Sequence, residues 1–345
     1  MSQENRKLVS IQKIKDINPI KGADRIEVAS VLGWKVVVRK GEFNVGDLGA
    51  YFEIDSLIPR AKWNDFLADS NKPDKPIRLR SIKLRGQISQ GLFMPLNTFD
   101  VLGDDVKEGD DITDLINVTK YEPPIPSCLS GEVDCAFPSY IKKTDEHRIQ
   151  AYPDLIQEFQ GKKVYVSQKI DGTSTTISHL NGDVNVCGRN WCYKPSDTNT
   201  YWKVTNKYNI PEKLRDIYNK TNNNYGIQGE CFGEGIQKNR LNIKGQDLAV
   251  FNIINLDNRT RLGFYEFKSF CDKLQLNTVP IIMVCEFKWK SVEELLELAK
   301  GNYASGQVQE GIVIRPIENF YSEILCSTEP SFKVINNDFL LGAGE

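Results

Sequence analysis

No apolar run in this 345-residue chain approaches the roughly 18 residues that a membrane-spanning helix needs. The first residues, Met1-Ser2-Gln3-Glu4-Asn5-Arg6-Lys7, are polar and do not form a signal peptide. The expectation is an intracellular protein without a membrane partner, acting as a monomer with reduced thiols. Histidine is almost missing: only His147 and His179 occur, too few for a histidine-rich metal centre and scant material for a Ser-His triad. Eight cysteines are present but none form a C-x-x-C pair, so the ligand spacing of a structural zinc site is absent. The formal net charge is only −2, which gives no global attraction to nucleic acid. A local patch can still bind phosphate within a neutral whole. Internal repeats and low-complexity segments are also missing. What is there is a hydrophobic content of 40% and a charged content of 26%, enough for the core of a soluble globular protein. The length suits two domains.

The N-terminal third reads as β-rich. Residues 7–14, 25–31, 34–39 and 49–54 are short runs of Val, Ile and aromatics, separated by Gly, Asn and Asp. Residues 75–85 carry five cations (Lys75, Arg78, Arg80, Lys83 and Arg85) and no acid, with Leu79 and Ile82 between them. Another strand follows at Gly91-Leu92-Phe93-Met94. So many short strands in about 100 residues suggest a small OB-type barrel, its basic stretch lining a nucleic-acid groove. Residues 109–127 contain Pro123-Pro124-Ile125-Pro126 and read as a stiff linker, with a boundary near residue 120. Residues 138–150 read as a polar loop entering a helix.

The centre of the chain is Gln168-Lys169-Ile170-Asp171-Gly172, preceded by the strand-like run Lys163-Val164-Tyr165-Val166-Ser167. A lysine at a strand end can hold its amine in a pocket. Asp171, two residues on, faces the same way if the strand continues, because strand side chains alternate. Gly172 lets the backbone turn or approach a ligand. A nucleophilic lysine must be neutral, and at its ordinary pKa only about 0.04% is neutral at pH 7. A nearby cation or desolvation must therefore lower that pKa. Further along, Arg189 follows a strand and a glycine. Glu230 sits among Ile227, Cys231 and Phe232, a poor place for a charge unless it is paired or functional. Phe251 lies in a buried-type strand and is most simply core. Glu310 precedes the apolar run 311–316, and Lys333 sits inside one more strand.

Lys-x-Asp-Gly followed in order by Arg189, Glu230, Phe251, Glu310 and Lys333 resembles motifs I, Ia, III, IIIa, IV and V of the covalent nucleotidyltransferases. The whole chain, including residues 19–34, 77–96 and 137–150, is similar to ATP-dependent RNA ligases of the Naegleria and Deinococcus type. The resemblance implies an α+β fold. An N-terminal OB-like β-barrel over 1–120, contacting RNA, precedes a nucleotidyltransferase (ATP-grasp-like ligase) domain over 121–345, built of antiparallel sheets with flanking helices. It implies that Lys169 attacks ATP to form lysyl-AMP, and that Asp171, Glu230 and Glu310 hold Mg²⁺ or Mn²⁺, largely through water. Gln168, Ile170, Arg148, Arg189, Glu230, Phe251 and Lys333 would bind the nucleotide: Phe251 by stacking on adenine, Arg189 at the ribose or acceptor end, Lys333 and Arg148 at phosphate. The implied partner is RNA with 3′-hydroxyl and 5′-phosphate ends. Two positions depart from the pattern: Gln168 stands where family members commonly have Glu, and Ser331 where motif V often has Lys. Capping enzymes and typical DNA ligases carry an OB domain after motif V, whereas 12 residues follow Lys333 here. The alternatives are a noncatalytic RNA-binding protein with a decayed nucleotide pocket, and a nucleotidyltransferase acting on another acceptor.

Overall fold

The structure is a computed structural model. It describes residues 6–67, 75–103, 105–122 and 131–342, which form two compact units. One contains the described residues up to 122 together with 150–153; the other contains 131–149 and 154–342.

In the first unit the strands are β1 (Val9–Pro19), β2 (Ile26–Val31), β3 (Trp34–Arg39), β4 (Leu48–Phe52), β5 (Ser56–Ile58), β6 (Ile77–Arg78), β7 (Ser81–Leu84), β8 (Gln87–Gln90), β9 (Leu92–Pro95) and β10 (Thr119–Lys120). The main sheet runs β3-β2-β1-β4-β9, all antiparallel. β1 is shared along its length: residues 9–13 pair with β4, and residues from Ile14 onward pair with β2. A bulge between Ile14 and Asp16 marks the change of partner and bends the strand, the device that curls a sheet toward a barrel. Val9, Ile11, Ala50, Phe52 and Ile58 fill the interior. Ile112 and Val118 join this core, and β10 pairs with β5. Residues 109–120 are therefore part of the packed unit rather than a linker; the proline cluster 123–126 lies outside the described residues. Of the five cations in 75–85, Arg78 is already engaged. It pairs with Asp55 at 2.8 Å and lies 3.8 Å over the Tyr121 ring. Arg80, Lys83 and Arg85 are exposed.

The second unit contains β11 (Val133–Ala136), β12 (His147–Arg148), β13 (Lys163–Lys169), β14 (Thr173–Leu180), β15 (Asp183–Cys187), β16 (Trp191–Tyr193), β17 (Tyr225–Gly233), β18 (Gln246–Asn255), β19 (Thr260–Arg261), β20 (Ile281–Glu286), β21 (Gly311–Pro316) and β22 (Phe332–Ile335). Its helices are α1 (Leu155–Phe159), α2 (Thr200–Lys207), α3 (Ile210–Thr221), α4 (Phe264–Lys273), α5 (Val292–Ala299) and α6 (Asn337–Gly342). Two sheets carry the unit, a seven-stranded one ordered β11-β16-β15-β14-β17-β18-β19 and a five-stranded one ordered β12-β22-β21-β13-β20. Leu214 of α3 and Phe267 and Cys271 of α4 pack with Ile177, Ile227 and Ile253 of the larger sheet. α5 begins with the capping hydrogen bond its sequence foretells, Glu294 N–H donating to Ser291 Oγ at 3.2 Å. Residues 138–146 are irregular and a 3-10 turn follows at Ile149–Ala151, as the loop-to-helix reading expects, but a short strand comes between them. His147–Arg148 is a short strand parallel to β22, paired with Phe332 and Lys333. Two residues carry no periodicity, and their partner is far away in the chain. Among the described residues no helix is long and apolar enough to cross a membrane.

Candidate active site

The chain crosses from one sheet to the other at the Lys-x-Asp-Gly motif. β13 ends at Lys169 in the five-stranded sheet, and β14 opens at Thr173 in the seven-stranded one. Space dictates Gly172: a Cβ there would lie 2.3 Å from the Cys231 carbonyl oxygen and 2.9 Å from Glu230 Cγ. The missing side chain lets Glu230, on β17, stand beside the motif. Gly311 does the same for the neighbouring strands. Its φ is +148°, and a Cβ would meet the Val334 carbonyl oxygen at 2.1 Å. Gly311 is in register with Lys169, which sets Glu310 against the lysine.

Lys169 Nζ forms an ion pair with Glu310 Oε1 at 2.6 Å, with the two side chains 22% and 17% exposed. Asp171 lies beyond the end of the strand, so alternation does not orient it. Its Oδ2 takes an ion pair from Arg240 Nε at 3.3 Å, and its backbone N–H donates to the Tyr303 hydroxyl at 3.0 Å. Burial alone would lower the pKa of Lys169, but Glu310, Glu230 and Asp171 outweigh it and raise it above the ordinary value. The depressed lysine pKa expected from the chemistry is therefore not what these side chains set by themselves, because three acids hold the ammonium. The acids are themselves crowded. Burial, with Glu310 and Asp171 nearby, pushes Glu230 up to about 8, against the pull of Lys169. Burial and Glu310 push Asp171 up to about 6, against Arg240 and Lys169. Among the described residues no three of His, Cys, Asp or Glu are grouped so as to hold a metal directly.

A second group of charges gathers on Asp145. Its Oδ1 pairs with Lys333 Nζ and its Oδ2 with Arg189 Nη2, both at 3.1 Å. Arg189 sits in the two-residue turn between β15 and β16, closed by Gly188 N–H donating to the Trp191 carbonyl at 3.0 Å. Its charge also acts on Glu230. Arg148 is paired in register with Lys333. Glu146, the residue after Asp145, is the centre of a buried network. It takes Arg315 Nη2 at 2.5 Å and a hydrogen bond from Ser331 Oγ. Burial alone would raise its pKa, but Arg315 and Arg261 hold it down to about 2. The departure at Ser331 thus has a structural use: its hydroxyl donates to this carboxylate.

Phe251 packs against the core, as its sequence suggests, and sits at an irregularity of its strand. The β17–β18 register slips between Gln228 and Gly229, leaving Phe251 as the bulged residue of β18. A bulge re-aims a side chain, and Phe251 is half-buried among buried neighbours. Its carbonyl accepts from Arg315 Nη1 at 2.7 Å, and its ring joins Ile170, Val279 and Tyr303 in one apolar cluster. Gln168, on the opposite face of β13 from Lys169, donates through Nε2 to Gln309 Oε1 at 2.7 Å. Sequence reasoning missed Asp145, Glu146, Arg240, Tyr303 and Arg315. Each gains its position from a contact distant in the chain; 145 and 146 fall in the marked stretch 138–150 and Arg315 in the run 311–316, while Arg240 and Tyr303 lie in no stretch the sequence had marked.

An OB-fold domain model matches residues 8–96, and an RNA ligase model matches residues 162–335. A Naegleria gruberi RNA ligase mutant without ligand is 36% identical, covers 97% of both chains and superposes with a TM-score of 0.87. The chain belongs to the RNA ligase family. A second mutant of the Naegleria gruberi RNA ligase, solved with ATP and Mn, is 36% identical over 97% of this chain and 98% of that one, TM-score 0.87. The same ligase with PPi reaches 36% identity, 97% and 98% coverage, and a TM-score of 0.86. No curated protein sequence matches the chain. The stretch matched by the RNA ligase model runs from before β13 to the end of β22. It contains Lys169, Asp171, Arg189, Glu230, Phe251, Glu310 and Lys333, but not Arg148.

Proposed function

We infer that this RNA ligase joins RNA 3′-hydroxyl and 5′-phosphate ends with ATP in three steps. Lys169 Nζ attacks the α-phosphorus of ATP and expels pyrophosphate, forming lysyl-AMP. The RNA 5′-phosphate then takes the AMP and frees the lysine. The 3′-hydroxyl finally attacks that activated phosphate and expels AMP. One observation carries the reading: in an RNA ligase family member, a lysine amine stands at the crossover between two sheets, against Glu310 and under the charge of Glu230 and Asp171. Phe251 and Ile170 supply an apolar face for the base. Lys333, Arg189 and Arg148 supply cations for phosphate and ribose.

The donor set suits a divalent cation. Two of the three acids are pushed upward, first by burial and then by the negative charge of their neighbours. Asp171, Glu230 and Glu310 fit Mg²⁺ or Mn²⁺ held mainly through water, since magnesium takes few carboxylates and keeps its hydration. Bound there, such an ion neutralises charge on the phosphate and lowers the lysine pKa. The structures of the Naegleria gruberi ligase mutant with ATP and Mn support the choice of cofactors. The N-terminal region over 1–120 is read as the RNA grip, on the strength of its exposed cations Arg80, Lys83 and Arg85.

The test is covalent labelling with α-labelled ATP or GTP and a divalent metal, read on a denaturing gel. Label from ATP alone, lost in Lys169→Met, is expected. Label that survives the substitution removes Lys169 from its role, and no label with any metal overturns adenylyl transfer.

A further inference from the structure

Three backbone groups fall at the point where β13 and β21 part. The last register pair of that ladder is Lys169 with Gly311. Beyond it, the Lys169 carbonyl, the Asp171 N–H and the Glu310 N–H all meet one side-chain atom, the Tyr303 hydroxyl. The hydroxyl donates to Lys169 O at 2.7 Å and accepts from Asp171 N and Glu310 N, each at 3.0 Å. A phenol hydroxyl has one proton and two lone pairs, so all its capacity is used.

Tyr303 is itself fixed. It is 3% exposed, and its ring packs with Ile170, Ala249 and Val279. Its backbone belongs to a tight turn: Tyr303 N–H donates to Gln307 O at 2.8 Å, and Gly306 N–H donates to Tyr303 O at 2.9 Å. Gln309 N–H donates to Gly301 O at 3.0 Å and closes the loop two residues after that turn. The same loop therefore delivers both the hydroxyl and Glu310. Burial pushes the Tyr303 hydroxyl above its ordinary pKa, which keeps it a hydrogen-bonding group rather than a titrating one.

We propose that Tyr303 is a positioning residue for the adenylylation step: its hydroxyl pins the fork between β13 and β21 and so fixes Lys169 Nζ relative to Asp171 and Glu310. The proposal rests on the adenylyl-transfer reading above. It assigns Tyr303 no contact with substrate and no proton transfer. Tyr303→Phe keeps the ring in its cluster and removes only the pin, leaving three backbone groups short of a partner. A small shift of an attacking atom lowers the rate without changing how well the nucleotide binds.

The measurement is pre-steady-state lysine labelling over a range of ATP concentrations, comparing wild type with Tyr303→Phe. The expected result is a maximal rate lower by about 10–100-fold with a half-saturating ATP concentration within about threefold of wild type. An unchanged maximal rate, or a loss confined to ATP binding, overturns the proposal. Should the variant fail to fold, hydrogen exchange on the wild-type protein decides. The Asp171 and Glu310 amides lie outside the last ladder pair yet are expected to exchange slowly, and free exchange at both overturns the pin. A wild-type protein that takes no label defeats the underlying reading instead. That outcome is separate, because the exchange measurement still reports on the hydroxyl.

Discussion

Replacing Glu230 by Gln should abolish labelling and yet stabilise the metal-free protein, by an amount that grows with pH. Glu230 is pushed up to about 8 from an ordinary 4.5. A group whose pKa is raised on folding favours the folded state while it is protonated in both states. That contribution is complete below the unfolded value and is lost as pH rises through the folded one. Between pH 5 and pH 8 the wild type should therefore lose roughly 3–4 kcal/mol relative to Glu230→Gln, from a shift of this size at about 1.4 kcal/mol per pH unit. Above about pH 8 the difference should level off, because Glu230 is then ionised in both states. Asp171, raised to about 6 by burial and Glu310, adds a slope of the same sign to both proteins. The assay is urea unfolding in a chelator at a series of pH values, fitted with a common m-value. Parallel curves for the two proteins would refute the reasoning, since they would mean that Glu230 is ionised in the folded site at no cost. A variant less stable at every pH would refute it too, by making the Lys169 attraction the larger effect. Adding Mg²⁺ should narrow the gap by stabilising the wild type more than the variant.

Gly172→Ala places a methyl group 2.3 Å from the Cys231 carbonyl oxygen and 2.9 Å from Glu230 Cγ. It is expected to cost about 1–3 kcal/mol of stability and to lower labelling at saturating ATP, so denaturant midpoints and label rates unchanged from wild type would count against the close approach. Arg80, Lys83 and Arg85 are exposed in the N-terminal unit. Their combined replacement by Ala should leave lysine labelling intact while weakening RNA binding and flattening its salt dependence. Gel-shift titrations at two salt concentrations check this, and equal affinity for RNA would remove these side chains from the RNA contact.

Much of this was written in local chemistry. Lys169-x-Asp171-Gly172 is four consecutive residues and legible as a motif, although what makes its glycine necessary is the distant Cys231 carbonyl and Glu230 side chain. Glu230 and Glu310 announce themselves as acids within or just before apolar strands, a pattern that costs energy unless it is used. Hairpins and capped helices such as α5 follow from periodicity and from side chains within a few residues of each other. What the chain alone could not convey is everything decided by pairs of distant residues. Asp145 is a surface-type aspartate until folding sets it between Lys333 and Arg189. Glu146 and Arg315 become a buried network only when β12 and β21 join one sheet. Phe251 looks like core in sequence and packs so, but the register slip that leaves it out of the β17–β18 pairing is visible only in the sheet. The sign of the Lys169 pKa shift is of the same kind. The lysine type implies a need for a neutral amine, but whether burial or three carboxylates win depends on distances that exist only in the folded site. Tyr303 is the extreme case, a residue with no motif around it whose hydroxyl meets three backbone groups from two strands. Local sequence determines which groups are available, and tertiary packing decides which of them share a charge or a hydrogen bond, because those interactions fall off within a few ångströms while the chain separating the partners does not enter.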